Sequence, residues 1–149
     1  MSMKKLIFAK NTFDKALNMK EKIELDYELK SNSATFLWPL ISTDAGLKKW
    51  LADDVQTTDD GMMFTWGNPH KHTETYTAQI LTMVKKERVR FFWKNEDEAD
   101  VYWEIKMSKS EIAGNYHLLI TDFAHNDEIE DLEEIWNQNI KRLRLATGV

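Results

Sequence analysis

The chain has 149 residues and no cysteine, so it has no disulfide framework, no thiol nucleophile and no thiolate-held zinc or iron–sulfur site. Lys and Arg number 20 against 25 Asp and Glu, and the net charge of −5 excludes a nucleic-acid binder that relies on bulk positive charge. At 42% hydrophobic the sequence is too apolar for a disordered chain, and its length favours one domain that buries roughly 70% of the surface of its unfolded form.

Residues 1–22 hold six lysines against Asp14 and Glu21, a local balance of +4 that leaves −9 on residues 23–149. Met1–Phe8 begins like a signal peptide, but its apolar run is only Leu6–Ala9, short of the about 7–15 residues such a segment needs. No run approaches the ~20 apolar residues of a membrane span, and the lack of cysteine fits a cytoplasmic address. Residues 1–18 therefore read as an N-terminal extension, disordered or outside the fold, and residues 19–149 as the domain. Met19 is a natural opening, and an alternative start of the chain.

Lys22–Lys30 alternates strictly, with Ile23, Leu25, Tyr27 and Leu29 on one face, as a half-buried antiparallel strand does. Ser31, Asn32 and Ser33 are capping residues before a short apolar helix over Ala34–Ile41, which Pro39 is expected to kink or end. Thr43 caps a second short helix, with Leu47, Trp50 and Leu51 on one face. Strand candidates follow at Val55–Thr58 and Met62–Trp66, joined by Asp59-Asp60-Gly61, a hairpin turn in which Gly61 can take a positive φ. In Thr73–Val84 the residues Tyr76, Ala78, Ile80 and Val84 share a face. Val89, Phe91 and Trp93 form the next inward set, and Asn95–Asp100 reads as a solvated acidic hairpin. Val101, Trp103, Ile105 and Met107 alternate in turn, and Tyr116–Phe123 is the last strand. From Asp127 to Thr147 the residues Ile129, Leu132, Ile135, Trp136, Ile140, Leu143 and Ala146 fall on one helical stripe. Asp127-x-x-Glu130 has capping-box spacing, and Gly148 supplies the stop. About 20 residues make a helix of roughly 30 Å, long enough to lie across a whole sheet.

This order of elements is the helix-grip pattern: a strand, two short helices, an antiparallel meander and a long last helix. The stretch Thr43-x-x-Gly46-Leu47-x-x-Trp50-x-Ala52-Asp53-Asp54-Val55 resembles the START-like, or Bet v 1-like (SRPBCC), superfamily. So do Phe64-Thr65-Trp66, Val89–Trp93, Leu119–Ala124 and a tryptophan, Trp136, in the final helix. Within it the chain is most similar to bacterial proteins near the heat-shock-chaperone ATPase activator homologues, over about Lys20 to Gly148. Pro39 departs from the pattern, since relatives run an uninterrupted helix there. The resemblance implies an α+β fold in which six or seven antiparallel strands curl around the last helix. It also implies a cavity between them for an apolar or amphipathic ligand. Relatives include lipid carriers, cyclases and chaperone cofactors, so the family constrains fold more than function.

Trp66, Trp93, Trp103 and Trp136, with Tyr27 and Tyr76, sit on faces that the pattern turns inward. They line a ligand pocket whose indoles and phenols orient a polar head, or they fill the gap between sheet and helix as a solid core. Asn139, near the helix stripe, is the polar candidate facing a ligand; otherwise it lies on the helix edge in water. His70-x-His72 has strand spacing for two ligands, but no third ligand is evident, so no metal is assigned. Asp53-Asp54 and Asp59-Asp60 follow a helix and flank a turn, where aspartate is favoured for backbone bonding alone, and no catalytic residue or cofactor is assigned either.

Three functions of different class follow. The first is a non-enzymatic carrier or sensor of a small hydrophobic ligand, an expectation that fails if the interior holds nothing beyond water-sized voids. The second is a protein-interaction module such as a chaperone cofactor, with Phe92 and Tyr102 as surface candidates. The third is a cyclase- or hydrolase-like enzyme, which needs a buried Asp, Glu or His on the cavity wall. A homodimer through an exposed strand edge or the N-terminal extension is a further expectation.

Overall fold

Strict alternation makes β1 (Glu21–Glu28), but its partner is the last strand of the chain, Tyr116–Ala124, against which Leu25 pairs with Ile120 and Tyr27 with Leu118. In this computed structural model, which describes residues 19–149, seven antiparallel strands form one sheet. After β1 come β2 (Asp54–Thr57), β3 (Gly61–Asn68), β4 (His72–Val84), β5 (Arg88–Trp93), β6 (Trp103–Lys109) and β7 (Tyr116–Ala124). Their order across the sheet is β1-β7-β6-β5-β4-β3-β2, so the chain must pass from one edge to the other between β1 and β2. Two short helices span that crossing, α1 (Ala34–Ser42) and α2 (Asp44–Leu47). The long α3 (Ile129–Thr147) buries Leu132, Trp136, Ile140 and Leu143 along its stripe, and these join the inward residues of the sheet in one core. The helix-grip fold is the one observed. The reading of residues 1–18 lies outside the described residues.

The caps of the short helices form as their residue types require. Ser33 Oγ accepts from the Phe36 N–H at 3.1 Å and Thr43 Oγ1 from the Gly46 N–H at 2.9 Å. Pro39 does not end α1, which runs through it to Ser42. The missing N–H removes one bond, and the groups around the end are tied by side chains: Thr43 Oγ1 donates to the Pro39 carbonyl and Ser42 Oγ to that of Trp38, both at 2.7 Å. At the far end Gly148 takes φ 78° and closes α3 through its N–H to the Arg144 carbonyl.

Several local expectations are corrected. Gly61 has no positive φ; it starts β3, where a Cβ would lie 1.9 Å from the Ala78 carbonyl oxygen, so close strand approach is what requires glycine. No capping box opens α3: a single 3₁₀ turn over Asn126–Glu128 leads in, with the Glu128 N–H on the His125 carbonyl, and both residues are buried. In β4 a bulge between Ile80 and Thr82 shifts the phase, so Met83, not Val84, lies opposite Val89. One extra residue moves every later side chain to the other face. The acidic hairpin is not solvated throughout, because the Glu96 carboxylate is enclosed and pairs with the Lys20 ammonium at 2.5 Å.

Candidate functional site: the aromatic interior and its mouth

Alternation puts Phe64 and Trp66 on the inner face of β3, Tyr76 on β4, Phe91 and Trp93 on β5 and Trp103 on β6, and neighbouring strands bring the rings together. Trp103 stacks on Phe91 at 4.1 Å between centroids and on Trp93 at 5.2 Å. Phe64 meets Phe91, Trp93 and Trp103 edge-on at 5.4–5.9 Å. From α3, Trp136 closes on Trp103 at 6.1 Å and on Trp50 at 6.4 Å. Edge-to-face and offset arrangements of this kind add attraction beyond burial alone.

Polar ends of the rings are tied to the frame. The Trp50 Nε1–H donates to the Leu40 carbonyl (2.8 Å), that of Trp66 to the Leu51 carbonyl (3.1 Å), and that of Trp136 to Asp122 Oδ2 (2.9 Å). The Trp103 Nε1–H is buried without an acceptor among the described residues. Asp122 was missed in the sequence reading. It lies on the inward phase of β7 with Leu118, Ile120 and Ala124, and that alternation was the available signal.

Trp66, Trp93, Trp103, Trp136 and Asn139 converge, with Leu51 and Ile135, on one crevice at the mouth of the grip. Tyr76 packs on Trp66 and Trp93 beside it. Tyr27 stands apart: its Oη donates to Asn137 Oδ1 at 2.6 Å. Asn139 is 5% exposed, not a solvated edge residue, and its Oδ1 accepts from Arg142 Nη2. The space the crevice encloses is about 20 Å³. One water needs roughly 10–15 Å³ on such a measure, whereas ligand pockets run to about 300–1,000 Å³. Around this crevice the rings are packed, and no Asp, Glu or His lines it. His72 Nε2 lies 3.5 Å from Glu74 Oε1, and no group of three His, Asp or Glu suited to a metal is found among the described residues.

Burial, with Glu133 and Glu134 nearby, pushes the Tyr27 phenol from 10.0 up to about 12. The folded chain therefore keeps this proton where the unfolded chain loses it, so this contribution is intact below about pH 10 and disappears as pH rises through about 12. Wild-type urea midpoints are expected to fall more steeply than those of Tyr27→Phe across this interval. Parallel curves for the two proteins would refute the assignment.

Open space lies outside. On the outer sheet face a groove of about 470 Å³ runs between Lys22, Glu24 and Asp26 of β1 and Arg90, Glu104 and Lys106 of the central strands. Glu104 accepts from Arg90 Nε at 3.1 Å, and the Arg90 guanidinium sits 4.0 Å over the Tyr102 ring, which packs on Phe123. A second groove of about 540 Å³ separates α1 and α2 from the end of α3, lined by Phe36, Pro39, Lys49 and Ala146 among others.

Comparison with known proteins places this geometry. A family model described as the START-like superfamily domain matches residues 17–149. The solution NMR structure of BfR322 from Bacteroides fragilis is 43% identical, with a TM-score of 0.57 over 84% of this chain and 89% of that one. The Aha1 dimer from Colwellia psychrerythraea, 14% identical, superposes with a TM-score of 0.66 over 86% of this chain and 98% of its own. CalU16 from Micromonospora echinospora is likewise 14% identical, with a TM-score of 0.62 over 85% and 75%. The last two show a shared fold only. No curated protein matches. Among the described residues no helix is long and apolar enough to cross a membrane.

Proposed function

The chain belongs to the START-like superfamily, and from that premise we propose that it is a non-enzymatic interaction module that works through its outer surface. One observation supports this above others: the crevice lined by the inward tryptophans encloses only about 20 Å³, while the outer grooves offer about 470 and 540 Å³. The carrier expectation required more than water-sized voids, and the small volume of this crevice weighs toward the interaction reading. The outer sheet groove, with acids and bases set against Tyr102, suits a polar protein surface better than a lipid tail. A chaperone is the specific partner class that the sequence likeness implies, and the domain at 19–149 and a cytoplasmic address belong to the same proposal.

A second reading has its own support. Five residues expected to bind a ligand (Trp66, Trp93, Trp103, Trp136 and Asn139) do line one crevice, and the buried Trp103 N–H there lacks an acceptor among the described residues. An amphipathic ligand with a carbonyl or hydroxyl oxygen would enter by displacing rings. Native mass spectrometry of freshly purified full chain, before and after denaturation, separates the two. The interaction reading expects the bare polypeptide mass in both samples. A mass excess lost on denaturation would overturn it in favour of the carrier.

A further inference from the structure

β4 is 13 residues long and outruns its neighbour β3. The last pair between them is Gly61 with Gln79, after which the Ile80 N–H donates to the Asp60 carbonyl at 2.8 Å. Leu81–Val84 then have β5 on one side and no described strand on the other. Leu81 is 48% and Met83 45% exposed. An open strand edge bordered by apolar side chains is a template for another strand.

Charge identifies the strand it fits. One end of this edge meets the Asp59–Asp60 turn, and the other runs into Lys85 and Lys86 of the β4–β5 turn. If the same edge of a second copy pairs with it antiparallel about a two-fold axis, position 84 of each copy comes beside position 81 of the other, and Lys85 next in line abuts the residues that cover Ile80. Each pair of lysines then faces the other copy's Asp59–Asp60 turn, and the match occurs twice. We propose that Leu81–Val84 is the self-association site of this protein, closing a two-fold dimer with one sheet continuous across it. Four residues a side make a small interface, so the association is weak and reversible.

Sedimentation velocity of the full chain from about 10 μM to 1 mM tests this, over a range that covers weak association. A concentration-dependent dimer is expected, weakened by salt, and Met83→Lys should leave a monomer with an unchanged melting curve. Asp59→Lys alone and Lys85→Asp alone should each weaken the dimer about tenfold, and the two together should restore it. A monomer at all concentrations overturns the proposal, as does a dimer that these substitutions leave unchanged. Slow amide exchange at Leu81–Val84 in a monomeric full chain overturns it too, since the edge would then not be open.

Discussion

Trp136→Ala is expected to lower stability by about 3–5 kcal/mol, the usual cost of emptying a buried tryptophan site. The ring is 1% exposed, lies between Trp50 and Trp103, and gives its N–H to Asp122. Two effects combine in that cost, and Trp136→Phe separates them. Phenylalanine keeps most of the apolar volume but not the N–H that Asp122 accepts, so it should cost about 1–3 kcal/mol. Urea midpoints of the three proteins measure both steps. A midpoint for the alanine variant close to wild type would show that the α3 stripe does not bury this ring. The alanine variant also probes function: it turns a water-sized void into an apolar cavity the size of an indole ring system. Added indole should raise its midpoint and leave that of wild type unmoved. A wild-type protein stabilised by indole would revive the internal ligand.

The second large effect is at the crossing between the two short helices. A Cβ on Gly46 would stand 1.9 Å from the Pro39 carbonyl oxygen and 2.7 Å from Leu40 Cα, both backbone atoms that cannot swing aside. Gly46→Ala should therefore force α1 and α2 apart and cost about 3 kcal/mol, at the upper end of overpacking changes. Leu40 also accepts the Trp50 Nε1–H, so the near-ultraviolet circular dichroism of the tryptophans should change with it. Gly114 is the comparison: its φ of 76° is left-handed, but nothing lies within 4 Å of a Cβ there. Gly114→Ala should cost only the backbone strain, about 1 kcal/mol. Equal losses at the two sites would show that the α1–α2 contact is not tight.

Most of the architecture was legible in the residues because side-chain direction is local. Ile23, Leu25 and Tyr27, or Trp103, Ile105 and Met107, point one way whatever they later meet, since successive residues of a strand alternate. The same holds for Leu132, Trp136, Ile140 and Leu143 on the last helix, and for Ser33, Thr43 and Gly148 at helix ends. Local pattern failed where a distant segment decided the outcome. The sequence could not show that Ala78 crowds Gly61, that a bulge at Ile80–Thr82 reverses the faces beyond it, or that Glu96 closes on Lys20.

The candidate site divides along the same line. Which rings turn inward was determined by the sequence, because it depends only on the twofold and 3.6-residue periods. Whether they line a pocket or fill one was decided by tertiary structure alone. That answer depends on how Phe91, Trp93 and Trp103 stack across neighbouring strands and how closely Trp136 approaches them from the helix. The spacing of the rings determines whether a 20 Å³ void or a larger space is left, and no periodicity encodes a distance of that kind.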